Sequence, residues 1–311
     1  MRLVDLFAGC GGMSRGFENA GHEVLAAYEY WDNAIECYVA NFEHPVFQQD
    51  LSNYIESAEQ ISLFRPDMII GGPPCQDFSH AGKRTEGDRA DLTLSYAEII
   101  SRVNPRWFVM ENVDRSKNSK AYSRARKAFK DAGYGLTEKV LDASFCGVPQ
   151  KRKRFFCIGL LGAEDGFLEN TLTQRLSTEP MTIRQYFAER LEVEYYYRHP
   201  RNYNRRAVFS IDEPAPTIRG VNRPVPKGYT GHPNDVAPVT PELRELTTLE
   251  RAQVQTFPID YNWVGNKTTM EQMIGNAVPV KLAQFVGGAI RAYEEMLQQN
   301  AEVVREGVLH G

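Results

Sequence analysis

Short apolar runs alternate with amphipathic stretches of helical length along the first half of the chain. Residues 3–7 (Leu3-Val4-Asp5-Leu6-Phe7) read as a strand, and a helical pattern runs from Met13 to Ala20. Val24 to Tyr28 predicts a second strand, Asp32 to Asn41 a second helix and Val46 to Leu51 a third strand. Met68-Ile69-Ile70 reads as a buried strand because it is short and bounded by Gly and Pro. A helix from Leu92 to Val103, a strand from Arg106 to Met110 and a helix from Ser119 to Ala132 follow. Strands near Leu136 to Leu141 and Phe155 to Leu160 close the series. This alternation predicts an α/β fold, a doubly wound and mostly parallel sheet. Ligands of such sheets bind beyond the carboxyl ends of the strands.

Past residue 165 the pattern loosens. Aromatic and basic residues interleave from Tyr195 to Arg206, and prolines and glycines cluster from Asp212 onward. A smaller, loop-rich second domain is expected there. The chain therefore divides into residues 1–174, residues 175–250 and a closing segment, 251–311, whose helical patterns at Leu249 to Gln255 and Val280 to Gln298 lead back to the first domain. A length of 311 residues suits one large domain plus a small one.

Composition is that of an ordinary soluble globular protein. No apolar run of membrane-spanning length stands out, and the first strand begins at once, leaving no room for a signal peptide. Five cysteines, odd in number and widely spaced, argue against a disulfide framework and for a reducing compartment, hence the cytoplasm. No Cys/His spacing suggests a metal.

The net charge of −4 disfavours a polyanionic partner until its distribution is considered. Residues 1–70 hold only Arg2, Arg15 and Arg65 against a series of carboxylates from Asp5 to Asp67. From Arg115 to Arg154 the balance reverses, and from Arg198 to Lys227 it is again basic. One face is thus expected to meet phosphates. For Lys117 to Lys130 a solvated helix face explains the charge equally well. For Gln150-Lys151-Arg152-Lys153-Arg154, which runs straight into an apolar strand, it does so less well.

Candidate chemistry gathers at the strand ends. The strand at Met68 ends in Gly71-Gly72-Pro73-Pro74, and the two prolines present Cys75 on a stiff turn. A thiolate is a strong nucleophile even when scarce at neutral pH. The first strand ends in Ala8-Gly9-Cys10-Gly11-Gly12, a turn that lets a ligand approach the backbone but lacks the spacing of a dinucleotide site. The second ends in Glu29-Tyr30, a carboxylate placed for ribose hydroxyls beside a ring able to stack on a base, and Asp50 closes the third. Gly, Glu and Asp at successive strand ends suit a nucleoside without a pyrophosphate, as in S-adenosylmethionine. The polar loop from His80 to Asp91 can close over a substrate. Cys10, Cys146 and Cys157 are better read as packing residues.

Five segments occur in a telling order: Asp5-Leu6-Phe7-Ala8-Gly9-Cys10-Gly11-Gly12, Pro73-Pro74-Cys75-Gln76-Asp77-Phe78-Ser79, Glu111-Asn112-Val113, Gln150-Lys151-Arg152-Lys153-Arg154 and Gly275-Asn276-Ala277-Val278-Pro279. With a variable basic segment between the fourth and fifth, the chain resembles the bacterial cytosine-C5 DNA methyltransferase family over nearly its whole length. The resemblance implies methyl transfer from S-adenosylmethionine to carbon 5 of a cytosine swung out of duplex DNA. Cys75 would attack carbon 6, Glu111 would hold N3 and the exocyclic amine, and Arg154 would contact the carbonyl oxygen. Arg152 would support the glutamate or a phosphate. Phe7, Ala8, Gly9, Gly11, Gly12, Glu29, Tyr30, Asp50, Pro74, Asn276 and Val278 would bind the cofactor. Ser79, Lys83, Arg89 and Gln150 would touch DNA. Residues 175–250 would form the target-recognition domain, with Thr217, Arg219, Asn222 and Arg223 reading bases in the major groove. The resemblance also implies action as a monomer on DNA and a restriction endonuclease partner acting independently. A tRNA cytosine methyltransferase shares this chemistry, an inactive DNA-binding relative would lack Cys75 or Glu111, and the glycine spacing counts against a nicotinamide dehydrogenase.

Overall fold

Strand order reverses at the centre of the sheet, and that reversal decides where a ligand can sit. The computed structural model describes residues 1–74, 91–200, 202 and 204–309, with side chains as far as residue 300. The first half contains β1 (Arg2–Leu6), α1 (Gly12–Asn19), β2 (Glu23–Glu29), α2 (Asp32–Val39), β3 (Val46–Gln48), α3 (Tyr54–Ser62), β4 (Met68–Gly71), α4 (Leu92–Val103), β5 (Trp107–Val113), α5 (Lys120–Asp131), β6 (Tyr134–Asp142), β7 (Gln150–Lys151) and β8 (Lys153–Leu161). A seven-stranded sheet has the order β3-β2-β1-β4-β5-β8-β6. All its pairings are parallel except those of β8, which runs antiparallel between β5 and β6. The switch point lies between β1 and β4, where the crevice over the carboxyl ends opens.

The central strands are mostly apolar because both faces are covered. Leu3, Met68, Ile70, Trp107 and Val109 pack on one face with Met13 and Phe17 of α1. Val4, Leu6, Ile69, Phe108 and Met110 face the other way, onto Tyr96 and Ile100 of α4 and Phe129 of α5. The alternation of these two sets is the period of two expected of strands.

The second half adds α6 (Glu169–Gln174), α7 (Ile183–Phe187), β9 (Tyr195–Tyr197), β10 (Val208–Ser210), β11 (Ala215–Pro216), α8 (Thr248–Val254), α9 (Lys267–Asn276) and α10 (Val280–Leu309). It has its own apolar cluster, with Ile183, Phe187, Tyr196, Phe209, Ile218, Leu246, Val254 and Ile274. β9 and β10 pair antiparallel, and β11 pairs with β7 of the first half. Asp235 organises the loop beyond: its Oδ1 accepts from the amides of Ala207 and Val208, and its Oδ2 from Tyr229 Oη and the His232 amide.

α10 returns to the sheet, placing Leu282, Val286 and Ile290 in the same cluster as α1. A Cβ on Gly16 would lie 2.4 Å from Ala283 Cβ, so the absence of a side chain there sets the helix–helix spacing. By length and composition the stretch Lys267–Asn300 also passes as a membrane span, but 67% of its most apolar 18-residue window is buried inside the protein. It behaves as core.

Candidate active site

A cleft of about 910 Å³ opens over the carboxyl ends of β1 and β4. Its walls come from Phe7 to Cys10, Gly12, Glu29 to Trp31, Asp50, Pro74, Glu111 to Val113, Arg152, Arg154 and the segment 275–278. The turn after β1 is held in left-handed backbone at Phe7, Gly9 and Gly11, with φ of 57°, 56° and 86°. At Phe7 this costs about 1 kcal/mol, a strain of the sort that collects at ligand sites. Glu29 holds the turn in place. Its Oε2 accepts from the Gly9 amide at 2.7 Å, and its Oε1 from the amides of Tyr30 and Trp31, both at 2.9 Å. Of roughly four acceptor sites on a carboxylate, three are thus used by the backbone, leaving about one for a ribose hydroxyl. Tyr30 stands 64% exposed on the rim, and Asp50, whose Oδ1 accepts from the Ser52 amide, completes this end.

A Cβ on Gly12 would meet the Val278 carbonyl at 2.3 Å, so the turn and the far end of the chain close on each other. Carboxylates, aromatics and bare amides, with no glycine cradle for phosphates, fit a positively charged nucleoside such as S-adenosylmethionine. Among the described residues no cluster of His, Cys, Asp and Glu could hold a metal ion.

On the other side of the crevice, β4 delivers the Gly-Gly-Pro-Pro turn. Cys75 itself lies outside the described residues, as do Ser79, Lys83 and Arg89 and the loop His80 to Asp91 up to residue 90. The support beneath Cys75 is visible. Asn112 Nδ2 donates to the Pro73 carbonyl at 3.0 Å, and a Cβ on Gly72 would lie 3.0 Å from Glu111 Oε2. Glu111 therefore presses against the turn that leads into the thiol.

Arg154 stands opposite Val113 in the β5–β8 register, one diagonal step from Glu111. Its Nε is 2.9 Å from Glu111 Oε1. Both groups are nearly buried, and the environment acts on the glutamate in two directions. Burial raises its pKa, Arg154 and Arg152 pull it down, and the net shift is upward. A carboxyl that keeps its proton more readily than usual, held by a guanidinium, can donate to a ring nitrogen.

Several expected contacts are corrected by the structure. Of the two roles expected of Arg152, the one beside the glutamate fits, since it pulls the Glu111 pKa down, but a phosphate contact does not, because it is 1% exposed: Nη1 donates to the Ile218 carbonyl and Nη2 to those of Gly275 and Ala277, each at 3.0 Å. Gln150 is fully buried and unavailable to DNA. Its Nε2 donates to Gln255 Oε1, and its Oε1 accepts from the Ile218 amide. Gly11 does not border the cleft, since a Cβ there would run into the Phe42 ring. Asn222 spends its Nδ2 on the Leu246 carbonyl, Thr217 donates to the Lys151 carbonyl, and Arg219 donates to the His199 carbonyl. These three brace the loop, whereas Arg223 is exposed. Phe7, Ala8, Gly9, Gly12, Glu29, Tyr30, Asp50, Pro74, Asn276 and Val278 do converge on the cleft, as do Glu111 and Arg154.

Two residues quoted within the sequence motifs were given no role of their own. Asn112 stood there only beside Glu111. Asp5, a carboxylate inside an apolar strand run, was the one available signal of a buried polar group at the cleft.

The C-5 cytosine-specific DNA methylase family model matches residues 1–292. Type II methyltransferase M.HindV of Haemophilus influenzae is 56% identical over 297 residues, covering 95% of this chain and 98% of that protein. M.HgiDI of Herpetosiphon aurantiacus, also a Type II methyltransferase, is 53% identical over 294 residues, with 94% and 95% covered. Among solved structures, the S. pombe Dnmt2 methyltransferase superposes with a TM-score of 0.69 at 20% identity, over 96% of this chain and 99% of that one. The last likeness speaks to the fold alone.

Proposed function

Because the chain belongs to the C-5 cytosine-specific DNA methylase family and is a DNA cytosine-5 methyltransferase, we propose that Cys75, Glu111 and Arg154 carry out its reaction. S-adenosylmethionine, bound between the β1 turn and the segment 275–278, would supply an electrophilic methyl on a sulfonium. The observation that carries the residue assignment is the buried Glu111–Arg154 pair against the turn that leads into Cys75.

Carbon 5 of cytosine is too poor a nucleophile to take a methyl unaided. The Cys75 thiolate adds to carbon 6, and Glu111 donates its proton to N3 as the ring electrons move to carbon 5. Arg154 holds Glu111 and offers its remaining N–H groups to the carbonyl oxygen, where negative charge develops. After carbon 5 has taken the methyl and the sulfonium has left as a thioether, loss of the carbon 5 proton to water, expulsion of the Cys75 sulfur and return of the N3 proton to Glu111 restore the aromatic ring. A base stacked inside a duplex is out of reach of such a site, so the target base would leave the duplex. Residues 175–250 would recognise the target, with Arg223 as the exposed candidate for base contact. The setting is the bacterial cytoplasm, where the protein works as a monomer on duplex DNA beside an independent endonuclease.

A duplex carrying 5-fluorocytosine at the target should be trapped covalently, because fluorine cannot depart as the proton does. Peptide mapping should place the adduct on Cys75, and Cys75→Ser should abolish trapping and turnover while still binding the donor. An adduct on Cys10, Cys37, Cys146 or Cys157 would overturn the assignment.

A further inference from the structure

Asp5 borders the cleft from the middle of β1 and is 1% exposed. Ser14 Oγ donates to its Oδ2 at 2.6 Å, while Oδ1 is buried without a hydrogen-bond partner. Ser14 Oγ lies 2.6 Å from Tyr38 Oη, which lies 2.7 Å from His44 Nε2. Each hydroxyl has one hydrogen. Ser14 spends its own on Asp5, so Tyr38 donates to Ser14 and the His44 Nε2–H donates to Tyr38. An ionised Asp5 thereby imposes one direction on three side chains drawn from α1, α2 and the loop after α2. The Tyr38 ring is held by stacking on Phe42, at 4.3 Å and 24°, and Phe42 in turn lies under the Arg15 guanidinium.

Among the described residues the groups acting on Asp5 are Ser14 and the carboxylate of Glu29, and neither is a cation. Burial, with Glu29 nearby, pushes its pKa up to about 7. A buried carboxylate half-satisfied by one hydroxyl is costly unless something positive arrives. The amino-acid part of S-adenosylmethionine carries an ammonium group and a carboxylate. The carboxylate suits the N–H groups at the start of α1, and the ammonium suits Asp5.

We propose that Ser14, Tyr38 and His44 are positioning residues for the methyl donor, a hydrogen-bonded chain that holds Asp5 as the counter-charge for the donor's ammonium group. This rests on the donor assigned above. It separates a role in ligand binding from a role in packing, because only ligands that carry the ammonium should sense the chain.

Calorimetric binding of S-adenosylhomocysteine can be compared with that of 5′-methylthioadenosine, which keeps the adenosine and thioether but lacks the amino acid. Tyr38→Phe keeps the stacked ring and should weaken S-adenosylhomocysteine about fivefold, roughly one hydrogen bond, with less than a twofold effect on 5′-methylthioadenosine. Ser14→Ala should give the same split from the other end of the chain. His44→Ala should copy it, and His44→Gln, which retains an N–H donor, should restore binding. In turnover the KM for the donor should rise more than kcat falls. Equal weakening of both ligands, or none, would overturn the chain alone. A wild-type protein that binds neither ligand would overturn the donor assignment as well.

Discussion

Glu111 has to be acidic enough to pair with Arg154 and basic enough to arrive with a proton. Burial settles the matter by raising its pKa above the ordinary carboxylate range, against the pull of two arginines. The sign of the pH dependence follows. The proton needed at N3 is present at low pH and is lost as pH rises through the raised value, so this group limits the alkaline side of the kcat/KM profile. Glu111→Gln should lower kcat by about 10²-fold or more and remove that limb, with donor binding retained. A profile unchanged in shape would exclude Glu111 as the titrating acid. Glu111 was legible in the sequence because a carboxylate closing a buried strand next to Asn-Val is unusual. Arg152 was legible as a site residue, but not its burial against three backbone carbonyls, since it stands among Lys151, Lys153 and Arg154. Only the alternation, with Gln150 and Arg152 inward and Lys151 and Lys153 outward, hints that two of these polar side chains are buried.

At the scale of elements, the regular α/β alternation was readable from period alone, and α4 falls on the stretch its pattern predicted. α3 and α9 were missed for a common reason. Their buried faces are built from Ser57, Ala58 and Ile61, and from Glu271, Met273, Ile274 and Gly275, so polar and small residues dilute the apolar stripe. Yet α9 matters to the site, because its end forms the cleft wall at 275–278. A Cβ on Gly275 would lie 2.1 Å from the Gly220 amide nitrogen and 2.3 Å from the Arg219 carbonyl carbon, backbone atoms that cannot swing aside. Gln150 and Arg152 bind the same two segments together. Gly275→Ala should therefore cost about 1–3 kcal/mol in a urea titration. It should weaken donor binding and cognate DNA binding together. Loss of one affinity with the other intact would show that the 219–220 and 275–278 segments act separately.

Across the whole molecule, the question is which of its many cations DNA meets. α5 is basic in sequence, but four of its five cations are answered internally: Arg124 pairs with Asp91, Arg126 with Glu138, Lys127 with Asp131 and Lys130 with Asp165. Each exposed pair adds little stability, about 0–1 kcal/mol, but together they remove the field that would attract a polyanion. Lys151 and Lys153 differ. Their backbone is fixed by the buried Gln150 and Arg152, their side chains are exposed, and they are chain neighbours of Arg152 and Arg154, which line the cleft. Arg223 is exposed on the loop that Asn222 braces. A cation that touches phosphate releases counterions, so log K for DNA falls with log salt at a slope of about −0.9 per contact. Lys151→Ala, Lys153→Ala and Arg223→Ala should each flatten that slope by about one contact, measured by fluorescence anisotropy on a short duplex over a salt series. Lys127→Ala should leave the slope as it is. Were Lys127→Ala to flatten it while Lys153→Ala did not, the DNA would lie across α5, on the face of the sheet away from α1 and α10. No base held there could reach Glu111.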